Sequence, residues 1–532
     1  MFFDTRYSQD RGEFDSDVCI IGAGAAGIAL ARKLQGRGFR ICVLEGGGLD
    51  PDAASQTLYD GKISGLPYFP LETCRLRYFG GTTNHWAGYC WPLQPPTFDE
   101  RAWIPHSGWP IGQSDLAPYY DEAIELIGFP KEGWSPERGW DLSKWESTFD
   151  EYRVPFNAKY FRQLSTLIKP LRMGAVFRDE LARADDVNVF LYANVVELET
   201  TQAGNLVSGC RVRTFEGRDL RFTAKHFILA TGGIENARLL LLSDRVHRKG
   251  IGNDNDLVGR FFMDHVSVPV GVIQIAEPDA PVELYIRYKD RPALGDIDHV
   301  VTILATEAMQ AEFELVPIWM RLFPDLEEFW ESKGPVSLKE LRQSLSGRTL
   351  PDDFVADIRN VLTDLGSVAQ LLYARTAYDG HSYDGIHVSA NFAPAPNPDS
   401  RVMLSEEADA LGLRKVKLDW RLSEIDYWSA VWISNRFASE VGATGLGRMK
   451  ITLGDEQSWT EQVRGNWHHV GTTRMGLAPQ DGVVDRNCRV FGVDNLYIAG
   501  SSVFPTCGAG SPTLTIIALA HRLADHLSAL LA

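Results

Sequence analysis

The 532-residue chain predicts an α/β fold, and three segments far apart in the sequence predict it together. The first is Gly22-Ala-Gly24-Ala-Ala-Gly27, set between the apolar run Val18-Cys-Ile-Ile21 and the helical stretch Ile28 to Leu34. The second, His226 to Leu241, reads as a strand, a glycine turn and a helix, as though the chain returned to the same sheet. The third, Asn495-Leu-Tyr-Ile-Ala-Gly-Ser-Ser502, repeats an apolar strand followed by small residues.

Each element has a physical reason. In a strand–turn–helix unit, Gly22 permits the tight turn, Gly24 lets the backbone approach a pyrophosphate, and Gly27 lets helix and strand pack closely. The free N–H groups at the helix start then face the anion. The next apolar run, Arg40-Ile-Cys-Val-Leu44, ends in Glu45, 18 positions beyond Gly27, where a carboxylate accepts hydrogen bonds from ribose hydroxyls. A nicotinamide enzyme needs only this first unit. Three strand–turn units around one nucleotide suit a longer cofactor lying across the sheet, with Thr231, Gly500 and Ser501 at the second and third turns.

Composition sets outer bounds. The length exceeds a single core and predicts two or three domains, and 44% hydrophobic residues allow extensive burial in a soluble globular protein. A net charge of −17, with no offsetting basic cluster, argues against nucleic acid or an anionic membrane as partner. The start, Met1 to Arg6, shows no basic region followed by a long apolar run, so no secretory signal is expected. The apolar stretch Leu514 to Ala532 is interrupted by His521, Arg522, Asp525 and His526, which disfavours a bilayer span. None of the seven cysteines forms a Cys-x-x-Cys pair, so no metal site is expected, and an odd count fits a reducing cytoplasm. Cys19 and Cys42 lie in apolar runs and read as small core residues.

Further motifs narrow the reading. The glycine loop, Gly80-Gly-Thr-Thr-Asn-His-Trp86, Val258-Gly-Arg-Phe-Phe-Met-Asp-His265, Trp467-His-His-Val-Gly-Thr-Thr-Arg-Met-Gly476 and Pro505 to Thr515 together resemble the glucose-methanol-choline (GMC) oxidoreductases. The resemblance runs in order from Asp17 to the C-terminus and is weak between Ile275 and Gly380. It implies FAD and a Rossmann-like FAD-binding domain, from 1–95, 190–270 and 460–532, interleaved with a substrate domain of antiparallel sheet plus helices, from 96–189 and 271–459. It also implies that Gly81, Thr82, Asn84, His85, Val196, Pro512 and Thr513 join the glycine loop in holding FAD. Within the substrate side, Ser114 to Ile127 reads as a capped amphipathic helix. The spacing of Trp, Leu and Phe from Leu315 to Arg375 predicts a helical layer.

The implied reaction is oxidation of an alcohol by hydride transfer to flavin N5. A base must take the hydroxyl proton, and histidine, with an ordinary pKa of about 6.5, suits that task. The resemblance gives the place to His468 and leaves His469, in the same motif, a mainly structural part. Relatives usually carry Asn or His at the start of the last motif, where this chain has Ser511 before Pro512. Ser511 reads as the N-cap of the final helix, and its hydroxyl also suits contact with the substrate oxygen. The start of that helix would favour negative charge on a reduced flavin. The place of His85 matches a histidine that some family members join to the flavin 8α-methyl; the alternative is a hydrogen-bonded histidine beside the rings. The expected substrate is a small-molecule alcohol, of sugar, glycoside or polyol type, with oxygen or another acceptor taking the electrons. A flavin-retaining lyase of the same family, without net redox change, is the alternative, and a non-catalytic FAD-binding scaffold is disfavoured by the intact Trp467-His468 motif.

Overall fold

Val18 to Ile21, apolar on both faces, forms the inner end of strand Glu13–Ile21 and lies at the centre of an eight-stranded sheet. The computed structural model describes the chain except for residues 8–11, 142–152, 278–281, 283–284, 286–296, 325–336, 339–353 and 364–384. The sheet runs in the order Phe2–Asp4, Val187–Leu191, Ile41–Leu44, Glu13–Ile21, Asp219–Leu229, Val207–Arg213 and Asn194–Thr200. Strand Asp219–Leu229 pairs with Glu13–Ile21 on one edge and is long enough to pair twice on the other: its first half antiparallel with Val207–Arg213, its last three residues parallel with Leu496–Ile498. All other neighbours of Glu13–Ile21 and Ile41–Leu44 are parallel, with helix Ala25–Leu34 making the crossover between those two strands. Strands covered on both faces need continuous apolar runs, and Val18, Ile20, Val43, Phe227 and Ile228 are fully or almost fully buried.

A second eight-stranded sheet is antiparallel. Its order is Gly447–Ile451, Val266–Ile275, Ile386–Phe392, Ile318–Pro324, Asp298–Ala305, Phe161–Ile168 and Tyr89–Cys90, with Arg464–Gly465 beside Val266–Ile275. The final helix, Pro512–Leu531, packs against Ala25–Leu34 and Ala117–Ile127 through Leu514, Ile517, Ala518, Leu523, Ala524 and Leu527. By length and composition this helix could cross a membrane, yet more than half of its most apolar stretch is buried inside the fold.

Two local expectations need correction. The segment beginning at Leu315 is not helical at its start, because Ile318–Pro324 is a strand in the middle of the antiparallel sheet. In that strand Trp319 meets Trp91 and His265 edge-on; helix Phe354–Thr363 lies further on, and the segment to Arg375 ends outside the described residues. The helix after Ser114 begins at Ala117 and is not capped by Ser114; Asp115 instead accepts from Gly112 N–H at 2.8 Å in a preceding short turn. All seven cysteines are free and buried.

Candidate active site

The two sheets face a single cavity of about 550 Å³, in the size range of small-molecule and cofactor sites. One half is the glycine turn. Gly22 has φ +107°, and a Cβ there would come within 2.5 Å of the Ala230 carbonyl oxygen. A Cβ on Gly27 would lie 1.9 Å from the Gly22 carbonyl oxygen, so helix and turn pack only because it is glycine. Gly24 differs: a Cβ there would meet no protein atom within 4 Å and would project into the cavity. No side chain caps helix Ala25–Leu34 and its first turn has no acidic residue, which leaves a donor-rich cradle for a pyrophosphate. Glu45 lines this half, and its two oxygens accept from Ala23 N–H and Gly47 N–H, each at 3.0 Å. Burial pushes its pKa up, opposed by those N–H groups and by Arg77. A carboxylate has lone pairs left over for ribose hydroxyls. The residues therefore fit an FAD nucleotide.

Gly81, Thr82, Thr231, Gly500, Ser501, Pro512 and Thr513 also line the cavity. Thr231 closes the second turn, its N–H and hydroxyl both donating to Asn236 Oδ1. Ser501 donates to the His469 carbonyl oxygen at 2.6 Å. Two expected ligands lie elsewhere. Asn84 does not line the cavity; it donates to the Phe79 carbonyl oxygen at 2.9 Å and supports the Gly80 turn. Val196 points to the other face of its strand, into a small cluster with Leu58 and Leu411, and Val195 lines the cavity instead. Strand side chains alternate, so a one-residue difference moves the contact to the opposite face.

At the other end the cavity reaches His85, His265, His468, His469 and Ser511. His85 Nε2 is buried without a hydrogen-bond partner, and its ring stacks on Trp467 with centroids 5.3 Å apart. Ser511 occupies the N-cap position of Pro512–Leu531, but its hydroxyl makes no capping hydrogen bond. The N-cap position is thus as expected, but its side-chain bond is absent, and Ser511 lines the cavity instead.

The turn carrying His468 is held by one carboxylate. Asp264 accepts from the N–H groups of Asn466, Trp467 and His468 at 3.0, 3.0 and 2.8 Å, and from the Tyr68 hydroxyl at 2.5 Å. Burial pushes its pKa up to about 6 against these four donors. Tyr68 in turn accepts from His469 Nε2 at 2.9 Å, so His469 is fixed by its own partner, and burial holds its pKa down to about 3.

His468 Nδ1 lies 2.8 Å from His265 Nδ1, and His265 Nε2 lies 2.6 Å from the Gly508 carbonyl oxygen. That carbonyl can only accept, so His265 carries its proton on Nε2. Burial depresses His265 to a pKa of about 4, so it is neutral near pH 7 and its Nδ1 is an acceptor. The proton between the two rings therefore belongs to His468 Nδ1, which leaves His468 Nε2 with a lone pair and, among the described residues, no hydrogen-bond partner. Burial, followed by the neighbouring His265, His469 and Arg321, holds His468 well below the ordinary histidine pKa. The motif Val258 to His265 was visible in the sequence, but the roles of Asp264 and His265 in it were not.

Residues 17–249 match the family model described as FAD dependent oxidoreductase, and residues 396–520 match that described as GMC oxidoreductase. The chain is 25% identical to the fructose dehydrogenase large subunit of Gluconobacter japonicus over 96% of this chain and 97% of that one. It is 24% identical to 2-methyl-1,2-propanediol dehydrogenase of Mycolicibacterium austroafricanum over 96% and 95%. Among solved structures, a formate oxidase superposes with a TM-score of 0.59 at 16% identity, covering 98% of this chain and 99% of that one, which shows a shared fold. With the uncapped glycine cradle, the buried histidines and both family models on one chain, the protein is an FAD-dependent oxidoreductase whose residues 396–520 carry the GMC oxidoreductase domain.

Proposed function

We propose that the chain oxidises an alcohol group of a sugar, glycoside or polyol-like substrate to a carbonyl, with His468 as the base. The observation that carries this reading is the chain from the Gly508 carbonyl through His265 to His468 Nδ1, which leaves Nε2 as a proton acceptor at the cavity. Bound FAD supplies the hydride acceptor. His468 Nε2 accepts a hydrogen bond from the substrate hydroxyl and takes its proton as the carbonyl forms. The resulting imidazolium keeps its Nδ1–H bonded to His265. Ser511, free of a capping duty, offers a second polar contact to the substrate oxygen.

The lining supports a polyol: Trp91, Trp319 and Trp467 give apolar faces beside the polar edges of Thr166, Thr302 and Asn391. The relatives named for fructose and for a propanediol point the same way. The unpartnered Nε2 of His85 supports attachment of the flavin there. The test is anaerobic mixing of the yellow holoenzyme with a panel of sugars, glycosides and polyols. Bleaching of the flavin is expected, slowed about 10²- to 10⁴-fold in His468→Ala. A flavin that stays oxidised with every alcohol, while product forms, would establish the lyase reading instead.

A further inference from the structure

Arg321 lies in Ile318–Pro324, two residues beyond Trp319 and on the same face of that strand, and lines the same cavity as His468 and Ser511. Its Nη2 donates to the Tyr89 hydroxyl at 3.1 Å. Its guanidinium carbon sits 5.1 Å from the centre of the Tyr89 ring and 5.3 Å from that of Phe323. Among the described residues no carboxylate forms an ion pair with it. An arginine is always charged and presents five N–H donors in a planar fork. Among the described residues one of these donors is used. Of the other cations of the cavity wall, Arg75 pairs with Glu235 at 2.7 Å, and Arg77 lies at the nucleotide end, where it donates to Asn194 Oδ1 at 2.9 Å and acts electrostatically on Glu45. Among the described residues, Arg321 is thus a guanidinium at the histidine end of the cavity with no carboxylate partner.

We infer that Arg321 recognises an anion and that the substrate is a polyol-like alcohol carrying a carboxylate, an inference that rests on the alcohol-oxidation reading above. A carboxylate matches the guanidinium fork and makes charge-assisted hydrogen bonds, which are the stronger class. A neutral alcohol leaves the fork to water, and an alcohol carrying an ammonium group meets like charge. Fixing the carboxylate at Arg321 also leaves the opposite end of the substrate free to place a hydroxyl at His468 Nε2.

Two measurements on the holoenzyme test this. First, acetate is titrated against the oxidised enzyme and the flavin absorbance is followed. A saturable change is expected, weakened about ten- to a hundred-fold in Arg321→Leu, as loss of a hydrogen-bonded charge predicts, and partly restored in Arg321→Lys. FAD retention by both variants confirms that they fold. Second, a hexose, the corresponding uronate and the corresponding amino sugar are compared as reductants of the flavin. The uronate is expected to have the highest kcat/KM, and its advantage over the hexose to collapse in Arg321→Leu. Acetate binding that is absent, or equal in the leucine variant, overturns the inference, as does an advantage of the amino sugar. Neutral sugars that reduce the flavin while acetate ignores Arg321 would sink the anion site and spare the oxidation reading. Acetate held by Arg321 while no alcohol reduces the flavin would do the reverse.

Discussion

Replacing His265 with Phe removes the acceptor for His468 Nδ1–H while keeping a planar ring in a buried place. The direct consequence is a change of tautomer. With the 2.8 Å bond in place, the neutral imidazole of His468 holds its proton on Nδ1; without it, the proton is free to sit on Nε2, the atom that must be bare to accept the substrate proton. A neutral hydrogen bond contributes about 0.5–1.5 kcal/mol, which shifts the tautomer population by up to roughly ten-fold. Misplacement of the ring adds to this, and a histidine base locked in the wrong tautomer loses about 10⁴-fold in a well-studied hydrolase. His265→Phe should therefore slow flavin reduction by roughly ten-fold or more at saturating substrate, and less than His468→Ala does. His265→Gln, whose amide both donates and accepts, should recover part of the loss. The assay is rapid anaerobic mixing with the flavin absorbance followed in time. Reduction at the native rate in His265→Phe, with FAD bound, would refute the tautomer argument.

The other predictions follow from single observations. In Gly24→Val the added Cβ meets no protein atom within 4 Å and lies in the pyrophosphate cradle, so the variant should fold yet lose FAD, read from the ratio of flavin to protein absorbance; full occupancy would contradict the placement. With flavin joined to His85, acid-precipitated protein should stay yellow and a peptide spanning Tyr78 to Tyr89 should carry the FAD mass; free FAD in the supernatant decides against attachment. Because Ser511 makes no capping bond, Ser511→Ala should change thermal stability by less than the roughly 1 kcal/mol of a lost cap, and any effect should appear in the rate of flavin reduction. Asp264, raised to about 6, loses acceptor capacity once protonated, so flavin reduction should fall as pH drops through about 6. In Asp264→Asn that fall should vanish from an already slower enzyme; an unmoved acid limb would assign it to another group.

Much of the nucleotide-binding sheet was legible because its signals are local. Gly22 turns with φ +107° and Gly27 packs against the Gly22 carbonyl oxygen, both within a few residues, and Val18 to Ile21 must be a covered strand to be apolar on both faces. The strand Ile318–Pro324 was not legible, since its aromatic residues match a helical period as well as a sheet's cross-strand packing. Val196 failed for a related reason: the strand was visible but its phase was not, and the phase depends on which face the distant residues Leu58 and Leu411 cover.

The site shows the same division more sharply. His468 could be named from its motif, but what makes it a base is a bond to a residue 203 positions away. His265 in turn takes its tautomer from a carbonyl at Gly508, 243 positions further along the chain. Asp264, the residue just before His265, holds the backbone of Asn466 to His468 in place. Two consecutive residues therefore do separate tasks on one turn: the carboxylate fixes where the histidine stands, and the imidazole fixes which of its nitrogens carries the proton. Just before strand Val266–Ile275, one of these side chains reaches the turn's backbone and the other its ring. No local pattern encodes such an arrangement, because each partner's donor or acceptor role is set only once the next one is in place.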